Sequence, residues 1–335
     1  MIFVTGGTGL VGSHILLKLC QENIPFKPLK RKNSSLDVCK DIFIYYESEH
    51  LFNSINWETG DMNDIPSLEN AMKDCNKIIH AAAMVSFHKE DAELMNKINV
   101  EGTKNIMNVA ISMGIKKVSY ISSIACLGRN TVKKEIIDEE CYFKISDKES
   151  NYSISKYFSE LEVWRASQEG VDVVITNPSI ILGPGDWTKG SSQIFQKIYS
   201  GLKFYTTGST GYVDVVDVAN CAILLLQSNI KNERFIVNGE NLKYREVFDW
   251  IADGFAKKRP TIKVTPILKE IVWRLEYIRS LFTGKKALIT KESAESAMTN
   301  SRYSTKKIEK AINYQFTPIK DSILKYCYWF LKRSS

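Results

Sequence analysis

Tyr152 and Lys156 stand four residues apart, a spacing that puts two side chains one turn apart on the same helix face. A phenol titrates at about 10, roughly three units too high for base work at neutral pH. An ammonium beside it, together with a second nearby cation, favours the phenolate, and a shift of that size takes roughly 4 kcal/mol of differential interaction. Such a pair can move a proton to or from a carbonyl or alcohol oxygen. The spacing alone is weak evidence, because Tyr199/Lys203, Tyr303/Lys307 and Tyr328/Lys332 repeat it. Tyr199/Lys203 straddles Gly201, which would interrupt a helix, and the other two pairs lie far along the chain. Tyr152/Lys156 opens a helix between two expected strands and follows Ser122-Ser123, which closes the strand Val118–Ser122. A hydroxyl at Ser123, at the carboxyl edge of a sheet, can hydrogen-bond the reacting oxygen and steer its proton toward Tyr152.

The N-terminus offers a second chemistry. Thr5-Gly6-Gly7-Thr8-Gly9-Leu10-Val11-Gly12 follows the apolar run Ile2–Thr5 and precedes a helical pattern of Val11, Ile15, Leu16 and Leu19. Strand, Gly6-x-x-Gly9-x-x-Gly12, then helix is the context of a dinucleotide fingerprint. The first glycine allows the tight turn, the second lets backbone approach a diphosphate, and the third packs helix on strand. Amides at the helix start carry partial positive charge, which suits that anion. About 20 residues on, where a carboxylate would read a free ribose 2′-hydroxyl, the chain has Lys30-Arg31-Lys32. The Arg31 guanidinium, helped by Lys32, can pair bidentately with a 2′-phosphate and stack on adenine. NADP(H) is therefore the expected cofactor, with NAD(H) the second choice.

These groups need a frame. The first half alternates β-rich runs with helical patterns, the signature of a parallel sheet with crossover helices. Strands are expected at Ile2–Thr5, Phe26–Lys30, Lys77–Ala83, Val118–Ser122 and Val171–Thr176, and long helices at Ala92–Met113 and Tyr152–Gln168. After Asn177-Pro178 the pattern loosens. Gly183-Pro184-Gly185 marks a sharp turn, followed by a short helix near Ile194–Ser200 and a strand near Tyr212–Val216. Asp217 is the expected N-cap of a helix Val218–Gln227. Ile267–Phe282 is amphipathic, with Ile271, Leu275, Ile278 and Phe282 opposite Lys269, Glu270, Arg274 and Arg279. It reads as a helix covering a substrate pocket, with a membrane surface as the alternative.

Composition excludes other classes. The 335 residues are 44% hydrophobic and 25% charged, ordinary for a globular protein. No apolar run approaches the roughly 18–20 residues of a bilayer span, the longest being Ala222–Leu226. The first apolar run has no basic region ahead of it, so it is not read as a signal peptide, and a cytoplasmic location is expected. Seven scattered cysteines, none as C-x-x-C, argue against a zinc site and a disulfide framework. His80 and His88 lack metal spacing, and the histidines read as packing or surface residues. No metal is expected. The net charge of +7 is spread over pairs such as Lys116-Lys117, Lys133-Lys134 and Lys285-Lys286, which read as solvated faces and not as a nucleic-acid site. Asp138-Glu139-Glu140 reads as a solvated loop.

Taken in order, Thr5–Gly12, Asp61-Met62, His80-Ala81-Ala82-Ala83, Asn99-Val100-Glu101-Gly102-Thr103, Ser122-Ser123, Tyr152/Lys156, Pro178, Gly183-Pro184-Gly185-Asp186 and Val213–Ala219 resemble the extended short-chain dehydrogenase/reductase family, also called the NAD-dependent epimerase/dehydratase family. The likeness spans nearly the whole chain and leans to its dihydroflavonol reductase-like branch. It implies an α/β fold, a Rossmann doubly wound parallel sheet with helices on both faces and a smaller intercalated C-terminal substrate domain. The expected division is 1–180 with parts of 205–240 for the dinucleotide, and mainly 181–335 for substrate. The resemblance implies Ser123, Tyr152 and Lys156 as catalytic. It also implies Gly6, Thr8, Gly9, Leu10, Val11, Gly12, Asp61, Met62, Ala81, Ala82 and Pro178, with Tyr152 and Lys156, along the cofactor. A homodimer through helices 92–113 and 152–168 is implied too.

Two departures stand out: Asn177 replaces the arginine many relatives carry before the proline, and Ile124-Ala125 replaces the acidic pair of sugar-nucleotide dehydratases. The leading expectation is an NADPH-dependent carbonyl reductase or alcohol dehydrogenase acting on a small-molecule ketone or aldehyde. A sugar-nucleotide epimerase with retained cofactor is the runner-up, and a cofactor-sensing regulator without catalysis the third.

Overall fold

The computed structural model describes residues 1–128, 136–146, 149–283 and 290–334. Lys133-Lys134 and Lys285-Lys286, and the side chains of Ile278 and Phe282, lie outside the described residues.

Strand β1 (Ile2–Thr5) leads through the glycine turn into helix α1 (Leu10–Gln21). There follow β2 (Phe26–Lys30), β3 (Glu58–Thr59), β4 (Lys77–His80), β5 (Lys117–Ile121) and β6 (Asp172–Pro178). Helix α2 (Gly102–Ser112) precedes β5 and helix α3 (Asn151–Gln168) precedes β6. Next come β7 (Ile180–Leu182), β8 (Phe204–Tyr205), β9 (Ser209–Asp214), helix α4 (Val215–Gln227), β10 (Glu233–Val237), β11 (Glu240–Lys243) and β12 (Ile262–Lys263). Helices α5 (Pro266–Thr283) and α6 (Ile319–Ser334) follow.

Seven strands form one sheet in the order β10-β6-β5-β4-β1-β2-β3, every neighbour parallel. The chain steps outward from β1 to β3, then returns to β4 on the other side of β1. Strand order therefore reverses between β1 and β4, and the crevice outside their carboxyl ends is where a doubly wound sheet binds ligands. Period-two alternation supplies both faces. Phe3, Ile78, Val118 and Val173 point to one side, against Ile106 and Ala110 of α2 and Val163 of α3. Val4, Ile79 and Ile121 point to the other, against Ile15, Leu16 and Leu19 of α1 and Ala222 and Leu226 of α4.

A lysine locks α4 to the sheet. Lys117 Nζ donates to the carbonyls of Leu225 (2.7 Å) and Ser228 (2.6 Å), satisfying acceptors at the helix C-terminus, where a cation is favoured. Burial lowers its pKa.

A second sheet, β11-β9-β7, packs with α6 and the Tyr244–Gly254 helix around Phe195, Tyr212 and Tyr326. The two regions interleave, because β10 follows β9 in the chain yet closes the edge of the large sheet.

Several boundaries differ from expectation. Strand β4 ends at His80, because Ala81 and Ala82 leave the ladder to reach Thr5: their amides donate to its carbonyl (3.2 Å) and hydroxyl (3.3 Å). The expected helix Ala92–Met113 holds a π-helical stretch at Asn96–Glu101. Asp217 does not cap α4. Asp214 does, its carboxylate accepting from the Val216 amide at 2.7 Å, so the helix starts three residues earlier than expected. Asp217 lies inside the helix and accepts from the Tyr314 hydroxyl and from the Thr317 amide and hydroxyl. Glu139 is not in a solvated loop either: its carboxylate accepts from the Ile236 amide at 2.8 Å, and burial raises its pKa. Helix α5 forms as expected but turns its apolar residues outward, with Ile267, Ile271 and Leu275 75%, 49% and 59% exposed. Its side chain Lys269 is the better covered, so the expected packing of Ile271 and Leu275 over a pocket is corrected.

Candidate active site

The glycine turn shows why each glycine is needed. Gly6 has φ +74, and a Cβ there would fall 2.5 Å from the Ala82 nitrogen. A Cβ at Gly12 would fall 2.0 Å from the Gly6 carbonyl oxygen, so only a bare Cα lets α1 sit this close to the strand. Gly9 is different. It is exposed, and a Cβ there would meet one atom within 4 Å, the Gly6 carbonyl oxygen at 3.4 Å. Gly9 is also the N-cap of α1, and no side chain caps that end, which holds no acidic residue. An open turn over uncapped amides fits a diphosphate. Thr8 is half-buried beside it. Leu10 and Val11 contribute their side chains to packing: Leu10 fills the space left by Gly183 and Gly185, and Val11 touches the cores on both sides.

The remaining cofactor candidates follow strand ends of the same sheet edge. Arg31 and Lys32 are exposed immediately after β2. Asp61 follows β3 and its carboxylate accepts from the Asn63 amide at 2.9 Å, while the Met62 carbonyl accepts from Asn105 Nδ2 at 3.0 Å. Ala81 and Ala82 follow β4, against Gly6. Pro178 ends β6 and is buried.

Ser123 follows β5 and caps a short turn, Ile124–Cys126, its hydroxyl accepting from the Ala125 amide at 3.1 Å. Tyr152 lies in the first turn of α3, which Ser150 caps through the Ser153 amide at 3.0 Å. Burial pushes the Tyr152 phenol up to about 12, with the Ser123 hydroxyl pulling the other way. Lys156 is buried and donates to the Tyr120 hydroxyl and the Ile121 carbonyl, both at 2.8 Å. Burial lowers its pKa to about 8, and Cys126 and Glu160 act in the opposite direction. The serine and tyrosine therefore meet as expected. At Tyr152 desolvation outweighs the pull of the Ser123 hydroxyl, and Lys156 is turned toward Tyr120; the expected depression of the tyrosine calls for a second cation beside the lysine.

Behind these groups lies a network the sequence did not point out. Asn99, in the π-helical stretch, donates to the Met84 carbonyl (2.9 Å) and to Ser155 Oγ (3.0 Å), tying the segment after β4 to α3. His80 is buried between Thr5 Oγ1 (2.6 Å) and Thr103 Oγ1 (2.9 Å) and stacks on Tyr120. Its pKa falls to about 3 through burial and the nearby Lys156 charge. Glu160, one turn beyond Lys156, is buried and accepts from Ser122 Oγ (2.6 Å), Asn177 Nδ2 (3.0 Å) and Arg234 Nη1 (3.2 Å). A carboxylate at i+4 from the expected catalytic lysine was the available signal. Asn177 turns inward to this network, donating also to the Ser123 carbonyl at 3.1 Å.

The profile of the NAD dependent epimerase/dehydratase family matches residues 2–238. The chain belongs to that family. A Synechocystis sp. protein that carries the name of a dihydroflavonol 4-reductase is 26% identical, over 98% of this chain and 94% of its own length. Cinnamoyl-CoA reductase 1 of Petunia hybrida is 28% identical over 62% of this chain and 65% of its own. The fold is that of UDP-glucose 4-epimerase from Thermotoga maritima, solved with UDP-glucose, with a TM-score of 0.78 at 17% identity over 100% of this chain and 99% of that one. Family members thus include reductases and sugar epimerases on one scaffold. No helix among the described residues is long and apolar enough to cross a membrane.

Proposed function

We propose that the protein is an NADPH-dependent reductase of a small ketone or aldehyde. The observation that carries this reading is Ser123 and Tyr152 brought together at the sheet edge that also carries the open glycine turn. The nicotinamide, when bound, supplies hydride to the substrate carbon. Ser123 donates a hydrogen bond to the carbonyl oxygen, and Tyr152 delivers the proton that completes the alcohol. Lys156 holds positive charge next to the site through its bonds to Tyr120 and Ile121, which stabilises the phenolate left once Tyr152 has given up its proton. The open turn at Gly9, over the amides that start α1, leaves room for the diphosphate, and Arg31 with Lys32 pairs the 2′-phosphate.

The substrate side is apolar. Phe87 meets the Tyr152 ring edge-on with centroids 6.0 Å apart, and Val85 and Phe87 are both exposed. Leu94, Phe158 and Leu161 are exposed on the helical layer that would pair two copies, which supports a homodimer through 92–113 and 152–168.

The test is NADPH consumption across a panel of ketones and aldehydes, followed by its absorbance. Turnover with an apolar carbonyl supports the reading. Tight cofactor binding without turnover, together with interconversion of a nucleoside diphosphate sugar, replaces it with epimerisation.

A further inference from the structure

Glu160 sits two turns along α3 from Tyr152 and has no route to solvent, being 3% exposed. Its five polar contacts divide by function. Oε1 accepts from Arg234 Nη1 at 3.2 Å and Trp164 Nε1 at 3.4 Å. Oε2 accepts from Ser122 Oγ (2.6 Å), Cys126 Sγ (3.1 Å) and Asn177 Nδ2 (3.0 Å). Ser122 and Cys126 are the two ends of the turn that presents Ser123. The Asn177 amide also donates to the Ser123 carbonyl at 3.1 Å, and the single Cys126 S–H is shared between that carbonyl, at 3.0 Å, and Oε2. Oε2 thus bonds Asn177 and Cys126, which both reach the Ser123 carbonyl, and Ser122, its neighbour in the chain.

A buried carboxylate costs several kcal/mol unless paired and fully hydrogen-bonded. Arg234 provides the pairing. It is itself tied down, donating from Nε to the Glu139 carbonyl at 2.9 Å. The charge pair therefore spans α3, β10 and the 136–146 segment, with the Ser123 turn at its centre. A neutral apolar core would fill this space with less desolvation, but could not hold three donors at fixed directions.

We propose that Glu160 is a positioning residue, whose buried carboxylate fixes the Ser122–Cys126 turn and, through Asn177, aims the Ser123 hydroxyl at the reacting oxygen. The inference rests on the reading of Ser123 as a donor to the substrate carbonyl.

Glu160→Gln turns an acceptor into a partial donor facing three donors, and it leaves Arg234 unpaired. Asn177→Ala keeps the Glu160–Arg234 pair and removes one of the two side-chain links between Oε2 and the Ser123 carbonyl, so it tests the same connection without a stranded charge. Three quantities are measured on the full chain for each variant: amide hydrogen exchange by peptide, NADPH affinity by fluorescence, and kcat and KM on a reducible carbonyl. Expected are faster exchange confined to the peptide over 122–126, NADPH affinity within twofold of wild type, and kcat lower by about tenfold with KM little changed. That loss is a fraction of what a displacement of about 1 Å can cost a reacting group. Unchanged exchange at 122–126, exchange loosened across the whole sheet, or unchanged kcat overturns the proposal. If wild type reduces no carbonyl, the functional reading fails, and the exchange data still decide whether Glu160 fixes the turn.

Discussion

Lys156 Nζ lies 2.8 Å from the hydroxyl of Tyr120, so the buried ammonium is held by the neighbouring strand and stacked over its ring, 4.4 Å from the centroid. The lysine is thus placed before any ligand arrives, and its charge depends on how well a dry site tolerates it.

That dependence gives an alkaline limb. Burial lowers Lys156 to about 8, below its ordinary 10.5, so the ammonium is lost as pH rises through 8. The kcat/KM for carbonyl reduction is expected to fall above that point, since this parameter reports groups of the free enzyme. For stability the sign is opposite: the unfolded chain binds the extra proton between 8 and 10.5, so this group adds stability as pH rises through that window. A flat pH–rate profile from 6 to 10 would remove Lys156 from the reaction.

Tyr152→Phe deletes the proton donor and keeps the ring against Phe87. Turnover is expected to drop by about 10²–10⁴-fold with cofactor affinity nearly unchanged, measured by NADPH oxidation and by fluorescence titration. Retained turnover would move the proton donor elsewhere.

Arg31→Ala tests cofactor choice. Loss of a charge-assisted contact costs roughly 1.5–3 kcal/mol, so the preference for NADPH over NADH should shrink by about tenfold or more. Steady-state kinetics with both cofactors gives the ratio directly, and equal losses for both would show that Arg31 does not read the 2′-phosphate.

His14 is buried and its pKa falls from 6.5 to about 4, chiefly through desolvation. The unfolded chain binds the proton first, so stability drops as pH falls from 6.5 and the loss is complete below about 4, on the order of 3 kcal/mol in all. His80 adds a loss of the same sign down to about 3. Denaturant melts at pH 7 and pH 5 should show the fall, and His14→Gln should reduce its slope.

Asp217→Ala removes the acceptor of three bonds from Tyr314 and Thr317. A loss of about 1–3 kcal/mol is expected from the unsatisfied donors. Thermal melts report it, and limited proteolysis should cut first near residues 313–318.

The fold was legible because its signal is local and repeated. Apolar runs between glycine turns marked β1, β2, β5 and β6 to within a residue or two at most ends, and the Tyr152 helix almost to the residue. Long-range contacts were hidden. Asp217 looked like a cap because it precedes an apolar helical run, whereas Asp214 holds that post and Asp217 answers to residues about 100 positions on. Glu139 looked solvated because its partner, Ile236, is 97 residues away. At the site, Ser123 and Tyr152 were found by spacing and order. The turn of Lys156 toward Tyr120 was not, because what packs around a side chain leaves no mark in the Tyr-x-x-x-Lys pattern. Helix α5 failed for a related reason: periodicity shows that an apolar stripe exists, not which way it turns.

Strand β10 closes the large sheet after the chain has already built β7 and β9 elsewhere, while Asp214 and Asp217 moor Tyr326 and Tyr314 to the helix lying against that sheet. No single cut divides this chain into two pieces that each keep a whole sheet. A change of specificity cannot therefore be acquired by exchanging a cassette. It has to be written in place, through side chains and loops such as that of Phe87, while the proton-handling residues stay as they are.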